Sequence, residues 1–142
     1  RTLNAKGVYA VIMRCRESRV LIYVYRKAKL LHDFSGTEVR RFLKKFGYEG
    51  KTLQEMLEQL SQRLCASDSF PPEIGLFLGY PIEDVKDFIK NEGKNCKLAG
   101  TWKVYHDEQN ARKTFCKFKK CTDIYCQMLG KGTPLRRLTV AG

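Results

Sequence analysis

The chain has 142 residues, of which 43% are hydrophobic and 30% are charged, and its formal net charge is +12. This composition fits one domain that can bury a hydrophobic core and need not be disordered. The sequence contains no run of about 18 apolar residues, so it predicts no membrane-spanning helix.

Charge is distributed unevenly along the chain. Residues 1–47 carry 12 basic and 3 acidic side chains, residues 48–93 carry 4 and 9, and residues 94–142 carry 11 and 3. Such a distribution favours a basic surface for nucleic acid or another anionic ligand. The alternative is that the lysines only keep a small domain soluble.

Six cysteines occur without any Cys-x-x-Cys pair, and the two histidines, His32 and His106, stand apart in the sequence. This spacing argues against a zinc site, and the sequence predicts no metal site. We expect reduced thiols and a cytoplasmic location, because a core of this size needs no disulfides. The cysteines are Cys15, Cys65, Cys96, Cys116, Cys121 and Cys126.

Two apolar segments near the start, Val8–Arg16 and Val20–Arg26, predict strands joined by a turn at Glu17 and Ser18. With that turn, strict alternation divides the side chains between two faces, and both faces are apolar. The hairpin is therefore predicted to lie in a sheet that is covered on both sides. One face carries Val11, Met13, Cys15, Val20, Ile22 and Val24, and the other carries Ala10, Ile12, Leu21, Tyr23 and Tyr25.

Two amphipathic helices are predicted next. Ser35 and Glu38 have the spacing of a capping box before an apolar repeat that ends at Gly47, and Thr52 and Glu55 have the same spacing before a second repeat. Apolar residues recur at helical intervals in both segments. They are Val39, Phe42, Leu43 and Phe46 in the first, and Leu53, Met56, Leu57, Leu60 and Leu64 in the second.

The second half of the chain alternates between strand-like and helical patterns. A Gly79-Tyr80-Pro81 turn leads into a helix that Gly93 ends, and Asp107 caps a long last helix. Strands are predicted at Ile74–Leu78, Thr101–His106 and Leu135–Val140. Together these elements predict an α+β fold in one domain, residues 1–142, with a mixed sheet of about four or five strands and amphipathic helices packed on its faces.

Three features between residues 79 and 105 form the candidate ligand site. The Gly-Tyr-Pro turn exposes backbone N–H groups at a helix start, which suits a phosphate or carboxylate. The loop of residues 91–100 adds lysines, and the strand of residues 102–105 places a lysine and a tyrosine on one face, where a base can stack. The alternative is a tight corner beside a core tryptophan. The predicted ligand-binding residues are Tyr80, Lys94, Cys96, Lys97, Lys103 and Tyr105.

Cys96 is also the candidate nucleophile of a thiol-dependent enzyme. Ammonium groups on both sides of a thiol favour the reactive thiolate, but a nucleophilic cysteine also needs a base. His106, ten residues further along, is the candidate base. The alternative is that Cys96 is a partly buried structural thiol.

The last predicted helix has an apolar stripe and a strongly basic opposite face. The basic side chains are candidates for contacts with nucleic-acid phosphates. Cys116, Cys121 and Cys126 point in three directions, about 140° apart, so they share no metal site on this helix. The predicted nucleic-acid-binding residues are Arg112, Lys113, Lys117 and Lys120.

The segment from Glu73 to Tyr125 resembles a bacterial family catalogued as domain of unknown function 3793. The similar features are the run Glu-Ile-Gly-Leu-Phe-Leu-Gly-Tyr-Pro, the lysine loop, the Trp-Lys-Val-Tyr strand and the closing Leu-Arg-Arg-Leu-Thr-Val-Ala-Gly. The resemblance implies no activity, cofactor or catalytic residue. It implies an origin in anaerobic bacteria, which agrees with free cysteines in a cytoplasm, and a further N-terminal segment before residue 1.

Three functions are consistent with the sequence, and none of them identifies a cofactor. The first is a basic cytoplasmic module that binds an anionic ligand, a nucleotide or nucleic acid, in a cleft between the turn, the lysine loop and the Trp-Lys-Val-Tyr strand. The second is a small redox or thiol-dependent enzyme that uses Cys96. The third is an adaptor without chemistry that uses an exposed apolar patch to bind a protein partner.

Overall fold

The computed structural model describes residues 3–141. In this range the chain is α+β, but the predicted sheet of four or five strands is wrong, because the strands form two separate antiparallel pairs and seven α-helices surround them. The strands are β1 (Val8–Arg16), β2 (Arg19–Arg26), β3 (Leu98–Ala99) and β4 (Lys103–Val104). The helices are α1 (Lys27–Asp33), α2 (Thr37–Lys44), α3 (Leu53–Ala66), α4 (Ile74–Phe77), α5 (Ile82–Lys90), α6 (Glu108–Gly130) and α7 (Leu135–Leu138).

Two of the predicted strands are short helices. The predicted strand Ile74–Leu78 is helix α4, which ends before Gly79 at a φ of 80°, and the predicted strand Leu135–Val140 begins as helix α7. The periodicity of a short apolar run cannot distinguish a buried strand from a buried helical turn. The predicted strand Thr101–His106 keeps only the two residues of β4 in regular pairing.

The hairpin of β1 and β2 turns at Glu17 and Ser18, as predicted, but its faces differ from the prediction. The register shifts between Ile12 and Arg14, so that Ile12 pairs with Ile22 while Cys15 pairs with Val20. A β-bulge of this kind inserts one extra residue and reverses the face of every residue before it. The faces predicted from strict alternation are therefore wrong for Ala10, Val11, Ile12 and Met13.

The predicted cover on both sides of the hairpin is also wrong. Its inner face packs on α3 and the hydrophobic core, with Met13 buried and Leu21, Tyr23 and Tyr25 partly buried. The outer face is open: Ile12, Ile22 and Val24 are each more than half exposed. The hairpin is thus a two-layer element of helix on sheet, not the centre of a three-layer fold.

The core lies between the inner face of the hairpin and helices α1 to α5. Its completely buried leucines come from the two predicted amphipathic helices: Leu43 on α2, and Leu60 and Leu64 on α3. Each is at most 1% exposed, so each contributes roughly 1.5–3 kcal/mol of burial energy. The helical repeats predicted from the sequence thus identify the core-facing sides of α2 and α3 correctly.

The two predicted capping boxes have different outcomes. In α3 the box is present: the Glu55 amide donates to Thr52 Oγ1 at 3.2 Å, and the Thr52 amide donates to Glu55 Oε2 at 2.9 Å. In α2 it is absent, because Ser35 Oγ donates to the His32 carbonyl at the end of α1 instead. Helix α1 was not predicted. The serine that the sequence pattern assigns to the start of α2 is hydrogen-bonded to the end of α1 instead.

Helix α6 leaves the core before its midpoint. Ala111 is buried and Phe115 is partly buried, whereas every residue from 116 to 130 is exposed. The chain then returns through α7, where Leu138 is buried and the Lys6 ammonium donates to the carbonyls of Arg136 and Thr139. No helix among residues 3–141 is both long enough and apolar enough to cross a membrane.

Candidate functional site

The candidate site is organised by one buried carboxylate in the first turn of α5. Asp84 is 3% exposed, and its Oδ1 accepts from the backbone amides of Tyr105 at 2.8 Å and His106 at 3.0 Å. Its Oδ2 accepts from the Trp102 indole Nε1 at 2.8 Å. Three hydrogen bonds to one charged group fix the backbone after β4 and the orientation of the indole together.

Trp102 lies between two other aromatic rings. Tyr80 stacks on it at a centroid distance of 5.3 Å, and Phe115 of α6 meets it edge to face at 4.7 Å. A Cβ atom at Gly100 would lie 2.3 Å from the Phe115 ring, so only glycine allows this approach of α6 to the β3–β4 turn. Burial raises the pKa of the Tyr80 hydroxyl, because a partly buried tyrosinate is poorly solvated.

An open cleft of about 360 Å³ lies beside this stack. We call it the aromatic cleft, because four aromatic rings and two prolines line it. Phe70 is 57% exposed and Phe88 is 36% exposed, so flat apolar surface faces the solvent there. The main lining residues are Phe70, Pro71, Pro72, Tyr80, Phe88, Trp102 and Lys103, with Asp84 and Val85 of α5 behind them.

Lys103 supplies the positive charge of the aromatic cleft. Its ammonium donates to the Gly93 carbonyl at 2.6 Å and lies 5.9 Å from the centre of the Phe88 ring. One hydrogen bond uses one of its three N–H groups, so donors remain for a ligand. The contact with the ring keeps the charge at the apolar edge of the cleft.

The structure divides the six predicted ligand-binding residues into two groups. Tyr80 and Lys103 line the aromatic cleft. The others belong to the adjoining loop: the Tyr105 hydroxyl donates to the Lys94 carbonyl at 2.7 Å, and the Lys97 amide donates to the Val104 carbonyl at 2.8 Å. Tyr105 thus holds the loop on β4, while the exposed side chains of Lys94 and Lys97 lie outside the cleft wall.

The thiol-enzyme arrangement lacks its required contact. His106 Nε2 bonds Asp87 Oδ2 at 2.6 Å, so the predicted base pairs with a carboxylate of α5. In the part of the chain that the structure describes, no hydrogen bond joins the partly buried Cys96 thiol to His106 or to a carboxylate. Across residues 3–141, no three His, Cys, Asp or Glu side chains are grouped closely enough to hold a metal ion.

The basic residues of α6 lie away from the aromatic cleft. At about 100° per residue, Lys113, Lys117 and Lys120 lie about 140–160° around the helix from Phe115, which faces Trp102. Arg112 lies closer to that side, but it is paired with Glu108 at 2.7 Å. Their predicted contacts with nucleic acid would therefore form on a different surface from the cleft.

Sequence reasoning missed three features of this site. Asp84 was not among the predicted site residues, yet its carboxylate accepts the three hydrogen bonds that fix the Trp102–His106 segment. Phe70 and Phe88 were not among the predicted site residues either, yet both line the cleft. The Phe-Pro-Pro triplet was the available signal, because a large ring before two rigid residues favours a fixed wall over a mobile loop.

A neighbouring cavity of about 400 Å³ shares Phe70, Ile74 and Tyr80 with the aromatic cleft. Two further cavities are larger still, at about 480 Å³ and 630 Å³. The first lies between α1, α2 and the start of α3, and the second lies between the hairpin and α3. The rings in the first, Phe34 and Tyr48, are buried. The rings in the second, Tyr9 and Tyr25, are only partly exposed, with the Lys27 ammonium 5.9 Å from the centre of the Tyr9 ring. The aromatic cleft differs from both, because two of its rings, Phe70 and Phe88, are exposed beside Lys103.

Comparison with known proteins gives one match. A family model described as "Protein of unknown function (DUF3793)" matches residues 1–139. No curated protein and no solved structure matches the chain. Since the matched region covers almost the whole sequence and includes every residue of the aromatic cleft, the chain belongs to the DUF3793 family of proteins of unknown function.

Proposed function

We propose that the protein is a binding module whose aromatic cleft takes a nucleotide, that is, a flat heteroaromatic ring that carries a phosphate. One observation supports this above all: three rings from separate parts of the chain, two of them exposed, converge on a cleft with a single lysine at its edge. The rings come from Phe70 before α4, Phe88 on α5 and Trp102 before β4.

The apolar part of the cleft suits the base. Its volume of about 360 Å³ falls in the range of roughly 300–1,000 Å³ typical of small-molecule pockets. Stacking of a base on an aromatic side chain contributes about 1–3 kcal/mol. Two prolines keep the Phe70 wall rigid, so little conformational entropy is lost on binding.

The polar part suits one phosphate group. Lys103 is the cationic residue that lines the cleft, and the nearby Asp84 carboxylate accepts hydrogen bonds from three N–H donors. A carboxylate with such donors repels an incoming anion less than an unpaired carboxylate would. The arrangement therefore favours a monophosphate over a ligand with several charges.

A mononucleotide fits better than a long strand of nucleic acid. A bound strand would place successive phosphates along a basic track, but Lys113, Lys117 and Lys120 face away from Trp102. One lysine in the cleft also predicts a shallow dependence of affinity on salt, because few counterions are released.

The only tryptophan of the chain lies in the cleft, so its fluorescence reports on binding directly. We expect AMP, GMP or UMP to quench Trp102 fluorescence with saturation, and the matching nucleoside to bind more weakly. A single-stranded oligonucleotide should be titrated in parallel, to distinguish a free mononucleotide from a nucleic-acid strand as the ligand. If the affinity for the oligonucleotide falls steeply as salt is added, the protein has a nucleic-acid-binding surface instead.

Two substitutions test the residues of the cleft. Phe70→Ala removes one exposed ring and should weaken nucleotide binding about tenfold, the equivalent of about 1.4 kcal/mol. The matched control is Phe118→Ala, since Phe118 is also an exposed phenylalanine, 46% accessible, but lies on the protruding part of α6. Lys103→Gln should weaken the nucleotide but not the nucleoside.

If Phe70→Ala and Phe118→Ala change the nucleotide affinity measured by quenching equally, the cleft is not the binding site. The absence of quenching by every nucleotide would refute the ligand class.

We also propose a cytoplasmic location, as predicted from the sequence, because six free cysteines suit a reducing compartment.

A further inference from the structure

We propose that the base of the bound nucleotide carries an apolar substituent, which occupies the cavity of about 400 Å³ beside the aromatic cleft. We call this cavity the apolar pocket. The inference rests on the proposed function and narrows it, because it names the class of nucleotide: one whose base bears a hydrocarbon group. Two features of the molecule support it, the wall that the cleft and the pocket share and the apolar lining of the pocket.

The apolar pocket and the aromatic cleft have one wall in common. Phe70, Ile74 and Tyr80 line both of them. Tyr80 stacks on Trp102 at the cleft, and Phe70 is an exposed ring. A group attached to a base that stacks on these rings can therefore enter the pocket along the same wall. The pocket is about as large as the cleft, at about 400 Å³ against 360 Å³, so it has room for a second ring.

The lining of the pocket favours a hydrocarbon. Every described side chain that lines it is apolar or aromatic. Leu60 and Leu64 of α3 are each 1% exposed and form its floor, whereas Ile22 on β2 and Leu78 after α4 are 56% and 48% exposed and form its rim. Exposed apolar side chains grouped in this way typically mark an interaction site, because covering them removes apolar surface from water.

Tyr23 offers the pocket a ring and not a free hydroxyl. Its hydroxyl donates to the Phe77 carbonyl, so it is already engaged. A polar group that entered the pocket would lose its water without gaining a hydrogen bond from Tyr23. This disfavours a sugar or a second phosphate as the occupant.

The position of the positive charge shows where the apolar group is attached. Lys103 lines the cleft but not the pocket, and its ammonium contacts the Phe88 ring and the Gly93 carbonyl, which do not line the pocket either. A phosphate at Lys103 therefore leaves the base between the charge and the pocket. A substituent on the base enters the pocket directly, whereas one on the phosphate would have to turn back past the rings.

The test compares AMP with methyl-AMP and benzyl-AMP, in which the added group is attached to the exocyclic amine of the adenine. Trp102 fluorescence measures the affinity of the full chain for each ligand. Methyl-AMP should bind within about threefold of AMP. Benzyl-AMP should bind at least about tenfold more tightly than AMP, because its second ring removes far more apolar surface from water than a methyl group does.

Leu78→Gln is the decisive variant. Leu78 lines the pocket but not the cleft and is about half exposed, so the fold should persist, as checked by thermal melting. The variant should remove most of the advantage of benzyl-AMP over AMP, while the affinity for AMP changes by less than about twofold. The matched control is Leu135→Gln on α7, where the leucine is 59% exposed, and it should leave both affinities unchanged.

Ile22→Thr tests the hairpin side of the pocket. It keeps the β-branched shape that suits a strand, but it makes the rim more polar. The advantage of benzyl-AMP over AMP should fall about twofold to threefold. The ratio of the two affinities is the quantity to compare, because a general effect on the fold would change both affinities together.

Equal affinities of AMP and benzyl-AMP would show that the base carries no apolar group in the pocket, while the cleft would remain a nucleotide site. If neither ligand quenches Trp102, the inference is also wrong, and the results with GMP and UMP decide the cleft separately. Equal effects of Leu78→Gln and Leu135→Gln on the affinity ratio would place the benzyl group outside the pocket. A doubling of the mass in solution that Leu78→Gln abolishes would show that a second copy covers the pocket instead.

Discussion

Glu73 and Asp84 are both buried carboxylates, but their hydrogen-bond partners belong to different parts of the molecule. Glu73, before α4, is completely buried and accepts at Oε1 from the Tyr48 hydroxyl at 3.1 Å and from the Arg63 guanidinium. Asp84 accepts from two backbone amides and one indole at the aromatic cleft. The first joins side chains across the core, whereas the second positions a loop.

The difference concerns how completely each charge is satisfied. Both oxygens of Asp84 have partners, but Glu73 Oε2 has none among the described residues. An ion pair inside a core contributes little net stability, although its disruption leaves an unpaired charge at a large cost. We therefore expect Glu73 to be needed for folding and Asp84 for the shape of the site. Three predictions test that contrast, and a fourth tests which lysines belong to the site.

The largest effect is expected from Glu73→Ala. The variant leaves the Arg63 guanidinium and the buried Tyr48 hydroxyl without their acceptor, so the free energy of unfolding should fall by about 3 kcal/mol. Urea denaturation measures it. Glu73→Gln is the matched control, because its amide oxygen still accepts from both donors, and it should lose about half as much. Equal stability of the alanine variant and the wild type would show that the pair is dispensable.

Asp84→Ala should lower the free energy of unfolding by about 2–3 kcal/mol, because three N–H groups lose their acceptor. Unlike the Glu73 variant, it should also change the site, and the emission of Trp102 should shift to longer wavelength as the indole becomes exposed. Asp84→Asn should show a smaller shift: its amide oxygen can still accept from the backbone amides of Tyr105 and His106, although its amide nitrogen meets the indole N–H donor to donor. Glu83→Gln, in the exposed part of the same helix turn, should leave the spectrum unchanged.

Alkaline titration compares the two regions through their tyrosines. Burial is the main cause that raises the pKa of Tyr48, and the neighbouring Glu73 charge adds to it. The pKa of Tyr105 is also raised by burial first, and then by Cys96, Asp87 and Asp84.

The unfolded chain releases these protons near the ordinary tyrosine pKa of about 10, while the folded chain retains them to higher pH. Stability should thus be complete below about pH 10 and fall as the pH rises further. Urea denaturation at pH 9 and pH 11 measures the loss. The loss of stability between pH 9 and pH 11 should be smaller in Tyr48→Phe and in Tyr105→Phe. If neither substitution changes the loss, other titrating groups cause it.

Sequence patterns predicted well where one local rule decides the structure. The core-facing leucines of α3 and its Thr52 capping box follow from helical periodicity and one side-chain bond. The hairpin turn at Glu17 and Ser18 was also predicted. Its faces were not, because the extra residue near Met13 depends on contacts with α3: Ser61 Oγ donates to the Met13 carbonyl at 2.6 Å.

The candidate site was predicted in outline for a related reason. Tyr80 and Lys103 were identified from residue types that are unusual in a turn or strand, and both line the cleft. The Phe70 wall comes from a segment distant in sequence from Trp102, so no local pattern places them together. Asp84 was not recognised, since its bonds to Tyr105 and His106 span about 20 residues of chain.

The smallest effect is expected at the two lysines that sequence reasoning placed at the centre of the site. Lys94 and Lys97 are exposed and lie outside the cleft wall, so the double variant Lys94→Gln and Lys97→Gln should change the free energy of unfolding by less than about 0.5 kcal/mol. Nucleotide affinity, measured by Trp102 fluorescence, should change by less than about twofold, because solvent and salt screen charges outside the cleft. Lys103→Gln is the matched comparison, since it removes the same charge from inside the wall and should have the larger effect. A loss in the double variant as large as that in Lys103→Gln would mean that the loop closes over the ligand, and the site would then include residues 94–97 as well as the rings around Trp102.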